Sequence, residues 1–213
     1  MDSKCEEIYL YLKSLYNSRG CELNYNSNFE LLVAVILSSQ CTDKRVNEVT
    51  KTLFKKYNTP KDYVDLDLNE LEKLIYSCGF YKNKAKNIKS MSKMLLDEFD
   101  GKVPQTLEEL TRLSGVGRKT ANVVLSEGFK KNAIAVDTHV FRVSHRLDLT
   151  NEKTPNKVEE DLKKRFDENI WGELHFYLVL FGRYICKSKR PNCKECELQK
   201  YCLYFKKLSE GKK

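Results

Sequence analysis

The sequence predicts an all-α protein. Three observations point there: 213 residues hold only four prolines and nine glycines, apolar residues recur at helical spacing almost throughout, and alternating segments bounded by turn pairs are scarce. Taken in order, the run "LLVAVIL" at 31–37 is the longest apolar stretch and is far too short to cross a bilayer. Val46, Val49, Leu53, Phe54 and Tyr57 make a helical stripe, with Thr42 placed to cap its start. "TLEEL" at 106–110 offers a capping box, Thr106 with Glu109, and Leu107, Leu110 and Leu113 line one face behind it. That helix ends near Leu113, Ser114-Gly115-Val116-Gly117 turns, and another helix begins near Arg118 or Lys119. Val136, Val140, Val143 and Leu147 form a further stripe, with Asp137 as its N-cap. The tail "KKLSEGKK" is expected to fray.

Hydrophobic residues make up 41% and charged residues 32%, as in a water-soluble globular protein with a real core. Lys and Arg outnumber Asp and Glu by 38 to 30, a net charge of +8 that favours a polyanionic partner without proving one. The N-terminal "MDSKCEEIYLYLKSLY" carries Glu6 and Glu7 and no unbroken apolar core, so no secretory signal is expected and the protein is placed in the cytosol. Eight cysteines in that compartment point to buried thiols or metal ligands rather than to disulfides. His139, His145 and His175 share no helical face and read as structural or surface residues.

Glycines at 115 and 117 supply the backbone freedom of a tight turn and let a ligand approach main-chain N–H groups. The N–H groups opening the next helix favour an anion, so the turn is suited to a phosphate and blind to base sequence. A P-loop is excluded, because Arg118 separates Gly117 from Lys119 and a leucine-rich helix precedes the turn. A turn whose glycines serve packing alone stays open at this level. Four cysteines crowd the tail in "CKSKRPNCKECELQKYC": Cys186, Cys193, Cys196 and Cys202, with six, two and five residues between them. Zinc and a [4Fe–4S] cluster both accept four thiolates; a single tight pair instead of two leans the spacing toward the cluster.

The string "LSGVGRKTANVVL" at 113–125 closely resembles the helix–hairpin–helix of the endonuclease III family of DNA repair glycosylases. "FELLVAVILSSQCTDKRVN", "GFYKNKAKNI", "AIAVDTHVFRV" and the cysteine cluster follow in family order, so the resemblance covers nearly the whole chain. It implies two helical domains with a DNA-binding cleft between them. One is a six-helix module at 22–132 containing the hairpin at about 106–126; the other joins 1–21 to 133–213 as the iron–sulfur domain. It further implies that Lys119 is the nucleophile and Asp137 the essential carboxylate, facing each other across that cleft. Gly115, Val116 and Gly117 would grip backbone phosphate, and Gln40 would enter the gap left by a flipped nucleotide. Phe80 stands where relatives commonly carry an aliphatic wedge; it reads equally as a core residue beside a turn glycine. Lys82, Lys84 and Lys86 read as phosphate contacts or as a solvated face.

The cysteine spacing matches the family's iron–sulfur motif, which assigns the four thiols to a [4Fe–4S] cluster with a structural part to play. Lys187, Lys189 and Arg190 in the loop between Cys186 and Cys193 would meet DNA backbone. Cys5, Cys21, Cys41 and Cys78 read as small core fillers. The activity implied is a bifunctional glycosylase and AP lyase, a monomer acting on double-stranded DNA with oxidised pyrimidines or abasic sites, cytoplasmic and nucleoid-associated when DNA-bound. Two rivals are an adenine mismatch glycosylase of the same superfamily and a non-catalytic module that only grips DNA backbone. The first generally lacks the lysine and carries an extra domain for which this chain has no room.

Overall fold

The computed structural model describes residues 1–16 and 21–210. Among the described residues there is no strand, and twelve α-helices follow one another along the chain. They are α1 (Ser3–Leu15), α2 (Asn28–Ser38), α3 (Asp43–Lys56), α4 (Pro60–Asp65), α5 (Leu68–Leu74), α6 (Tyr81–Glu98), α7 (Leu107–Arg112), α8 (Arg118–Val123), α9 (Thr138–Arg146), α10 (Pro155–Arg165), α11 (Trp171–Tyr184) and α12 (Leu203–Glu210). The chain divides into two compact units: Met1–Gly20 with Asn132–Lys213, and Cys21–Lys131.

The central unit is built around α2. Its run Leu31–Leu37 is buried along its whole length, which is why that stretch shows no polar face: α3, α6 and α8 all pack on it. No helix among the described residues is long and apolar enough to cross a membrane. Thr42 caps α3 by accepting the Arg45 N–H at 3.3 Å, and Thr106 caps α7 by accepting the Glu109 N–H at 3.2 Å. The capping box at α7 is only half formed. The Glu109 carboxylate takes the Thr106 hydroxyl at 2.7 Å instead of a backbone N–H. A complete box stands at α4, where Thr59 and Asp62 cap each other's backbone. Seven α-helices fall in this unit, with Asp67 capping a fresh start at Leu68 after only two intervening residues beyond α4.

The other unit packs α1, α9, α10 and α11 around one core. Cys5, Ile8 and Leu12 of α1, Val140, Val143 and Leu147 around α9, and Leu174, Leu178 and Phe181 of α11 are all at most 1% exposed. Each such aliphatic or aromatic side chain contributes on the order of 1.5–3 kcal/mol of burial free energy. The Val136 stripe therefore faces this core as its spacing predicts. α12 runs to Glu210 and takes in the first part of the tail, and residues 211–213 lie outside the described residues.

Candidate active site and cysteine pocket

The α7–α8 hairpin carries the first group of candidate residues. Gly115 holds φ +79°, and a Cβ there would lie 2.9 Å from the Asn87 Cβ of α6. Glycine is thus required twice, by backbone conformation and by packing. Ser114 is fastened to α6 by the 2.8 Å contact of its hydroxyl with that of Ser90, and Arg112 pairs with Glu98 at the end of the same helix. Val116 is buried and its N–H is taken by the Leu113 carbonyl at 3.0 Å, so it serves the turn internally.

Gly117 is different. Its φ of −84° is open to any residue, and a Cβ added there would meet nothing within 4 Å. Among the described residues nothing demands a bare backbone at this exposed N-cap of α8. Lys119 lies on the first turn of α8 and is exposed.

Two turns of the central unit hold the next pair. Gln40, between α2 and α3, has φ +52°, and Phe80, the residue before α6, has φ +58°. A left-handed conformation costs a non-glycine residue about 1–2 kcal/mol, so both turns are held against intrinsic preference. The turns touch each other: a Cβ on Gly79 would come within 3.1 Å of the Gln40 carbonyl. Phe80 is 63% exposed, which removes the core reading. Tyr76, also exposed at 69%, is in ring contact with Tyr81 at 5.0 Å. Lys82 and Lys86 are exposed, but Lys84 is buried, which corrects the expectation of a solvated or phosphate-facing side chain. Its Nζ donates to the carbonyls of Leu37 at 2.8 Å and Ser39 at 2.7 Å, where α2 ends. Of the cysteines outside the tail, Cys5 and Cys78 fill core positions, whereas Cys21 and Cys41 are only half-buried.

Asp137 caps α9 as its sequence position predicts. Both bonds, from the N–H groups of His139 and Val140, are 2.8 Å long and both end on Oδ1. Among the described residues Oδ2 accepts no hydrogen bond, so capping and a second role do not compete for the same oxygen. His145 is structural: its ring nitrogens meet the carbonyls of Phe141 at 2.8 Å and Glu152 at 3.0 Å. His139 contacts Arg142 at 3.2 Å, and His175 is buried.

Cys186, Cys193, Cys196 and Cys202 are free thiols, each half-buried, and all four line one pocket with Leu147, Phe181, Ile185 and Phe205. Among the described residues no three His, Cys, Asp or Glu side chains are grouped so as to hold a single metal ion. Burial, then the neighbouring Cys202 and Cys186, push the Cys193 thiol above its ordinary range. Four cysteine thiols are a donor set that a metal cluster accepts. The donor chemistry suits one: Arg146 donates to the Cys186 Sγ at 3.3 Å, and the Phe205 N–H to the Cys202 Sγ at 3.4 Å. These residues fit the implied cluster.

Sequence reading missed Arg142 and Arg146, which hold the cysteine loop to α9. Arg142 Nε donates to the Cys186 carbonyl at 3.2 Å and its guanidinium to the Gly182 carbonyl at 2.7 Å. Arg146 donates to the Lys187 carbonyl at 2.8 Å and the Ser188 carbonyl at 3.2 Å, and lies 4.0 Å over the Tyr204 ring. Their i, i+4 spacing in "RVSHR" was the available signal. With its backbone gripped this way, the loop leaves Lys187, Lys189 and Arg190 exposed, Arg190 at φ +51°.

Comparison with known proteins fits this geometry. The family model of the HhH-GPD superfamily base excision DNA repair proteins matches residues 33–168. Endonuclease III of Bacillus subtilis (strain 168) is 51% identical over 183 residues, 85% of this chain and 84% of that protein. The chain belongs to the endonuclease III family of the HhH-GPD superfamily. Two solved endonuclease III structures, one a trapped covalent intermediate with DNA in an estranged-adenine complex and the other a non-covalent DNA complex, both give TM-scores of 0.93 at 46% identity. They cover 98% and 99% of this chain, and this chain covers 100% of each. As an endonuclease III family member, the chain has its hairpin and its cysteine pocket in different compact units, Lys119 in one and Asp137 in the other.

Proposed function

We infer that this protein is a bifunctional base-excision repair enzyme, a DNA glycosylase and AP lyase that removes oxidised pyrimidines from duplex DNA and cuts the resulting abasic strand. The observation that carries the reading is the exposed Lys119 two residues beyond Gly117, a glycine whose bare backbone the fold itself does not require. The covalent DNA complex of a 46%-identical relative supports the same chemistry.

In this reading the Nζ of Lys119 attacks C1′ of an extruded nucleotide. The C1′–N bond breaks and its electron pair leaves with the base. Opening of the C1′–O4′ bond then gives an iminium. The iminium acidifies the C2′ proton; its loss expels the 3′ oxygen, cutting the strand on the 3′ side. Hydrolysis of the imine frees the lysine. Asp137 supplies a fixed negative charge beside the cationic sugar as the glycosidic bond breaks, through the oxygen not used in capping. Bound DNA supplies the desolvation that the exposed lysine lacks in the free protein. Gln40 fills the gap in the stack and Phe80 wedges the neighbouring step.

Cys186, Cys193, Cys196 and Cys202 are the residues that would hold a [4Fe–4S] cluster. When bound it would fix the loop presenting Lys187, Lys189 and Arg190 to phosphates; no step of base removal needs its electrons. The enzyme would work as a monomer in the cytoplasm, at the nucleoid. A duplex with one thymine glycol tests the assignment. Release of the free base together with strand cleavage at that position is the expected result; base release without cleavage would exclude the lyase half, and neither product would exclude the enzyme.

A further inference from the structure

The buried amine of Lys84 has no part in the chemistry above, yet it sits under both residues assigned to opening the duplex. Burying an ammonium is costly unless its protons are all received, and a leucine in the same place would avoid that cost. Among the described residues its side-chain bonds go to backbone carbonyls alone: Leu37 at 2.8 Å and Ser39 at 2.7 Å, the last before Gln40. Its own backbone N–H returns to the Phe80 carbonyl at 3.1 Å, closing the first turn of α6. Gly79, between the two, allows the Phe80 turn to lie against the Gln40 carbonyl. Gln40 and Phe80 are both held at positive φ at this junction.

We propose that Lys84 is a positioning residue for base extrusion, locking the Gln40 turn to the Phe80 turn so that gap-filler and wedge enter the duplex as one rigid unit. This rests on the wedge reading of Gln40 and Phe80. Excising a paired base requires unstacking it, whereas an abasic sugar has no base to unstack. Loss of the lock therefore separates two activities of one protein.

The test compares wild type, Lys84→Met and Lys84→Arg on two duplexes, one with a paired damaged pyrimidine and one with a preformed abasic site. Lys84→Met is expected to slow excision by about tenfold or more while leaving β-elimination at the abasic site within about threefold, with Lys84→Arg recovering part of the loss. A general loss of structure would lower both activities together, and that result, or no change in either, overturns the proposal. If Lys84→Met does not fold by circular dichroism, Gly79→Ala takes its place. It keeps the amine but presses a methyl on the Gln40 carbonyl, and absence of the same split in it overturns the proposal. Gln40→Ala and Phe80→Ala, run alongside, identify which reading fails. Excision at the wild-type rate in both removes the wedge reading itself, and with it the lock; slowed excision in them without the split in Lys84→Met or Gly79→Ala removes only the lock.

Discussion

The carboxylate of Asp137 accepts the Val140 N–H at 2.8 Å through the same oxygen that accepts the His139 N–H, leaving Oδ2 outside the cap. This division makes the capping of α9 and the proposed catalytic role of Asp137 separable by mutation. Asp137→Asn keeps an oxygen for the cap and removes the charge, so excision should fall by about 10²–10³ while the melting temperature stays near wild type. Asp137→Ala should lose the activity and about 0.5–2 kcal/mol of stability as well. Equal activity of Asp137→Asn and wild type would reduce the residue to a cap.

The two hairpin glycines should respond in opposite ways. Gly115→Ala forces a side chain to φ +79° and against Asn87, and is expected to cost at least about 1–2 kcal/mol in denaturant unfolding. Gly117→Ser introduces a good N-cap at an ordinary φ and open space, so stability should hold or rise slightly. DNA affinity should nevertheless drop, because the hydroxymethyl group stands in the phosphate's approach. Unchanged affinity in a titration with abasic-analogue duplex would remove Gly117 from the DNA interface.

Arg146 ties the Cys186 thiol and the Lys187 and Ser188 carbonyls to α9. With the proposed cluster bound, Arg146→Met is expected to loosen the loop, with iron per protein falling on prolonged dialysis and brown colour lost faster than from wild type. Retention equal to wild type would show the loop to be held by its metal alone.

Alkaline pH should weaken the unit that contains α1. Burial, helped by the nearby Asp2, raises the Cys5 thiol from 9.0 to about 11, and burial raises the Tyr16 hydroxyl from 10.0 to about 12. The folded protein holds these protons more tightly than the unfolded chain, so their contribution is intact below pH 9 and is lost as pH climbs through 11 and 12. Denaturant unfolding between pH 8 and 11 should show stability falling for wild type, with a shallower fall in Cys5→Ala.

Local signals carried most of what the sequence disclosed. Thr42, Thr106 and Asp137 announce helix starts because capping depends on the next three residues, and the Val136 stripe exposes its buried face through spacing alone. What stayed hidden depends on partners distant in sequence. Lys84 looks solvated in "KNKAK" because the carbonyls that receive it lie more than forty residues earlier. Phe80 looks as suited to a core as to a surface until the Gln40 turn is packed against Gly79. Gly115 and Gly117 look equivalent in "GVG", and only the backbone angles and Asn87 separate the one required by the fold from the one the fold leaves free.

Borohydride reduction during turnover tests the central claim most directly, since it converts an imine between enzyme and sugar into a permanent bond. Wild-type protein with an abasic or thymine-glycol duplex should yield a covalent adduct whose modified peptide contains Lys119, and Lys119→Ala should yield none. An adduct that persists undiminished in Lys119→Ala, or maps to another amine in the wild type, would contradict the assignment of Lys119 as the nucleophile.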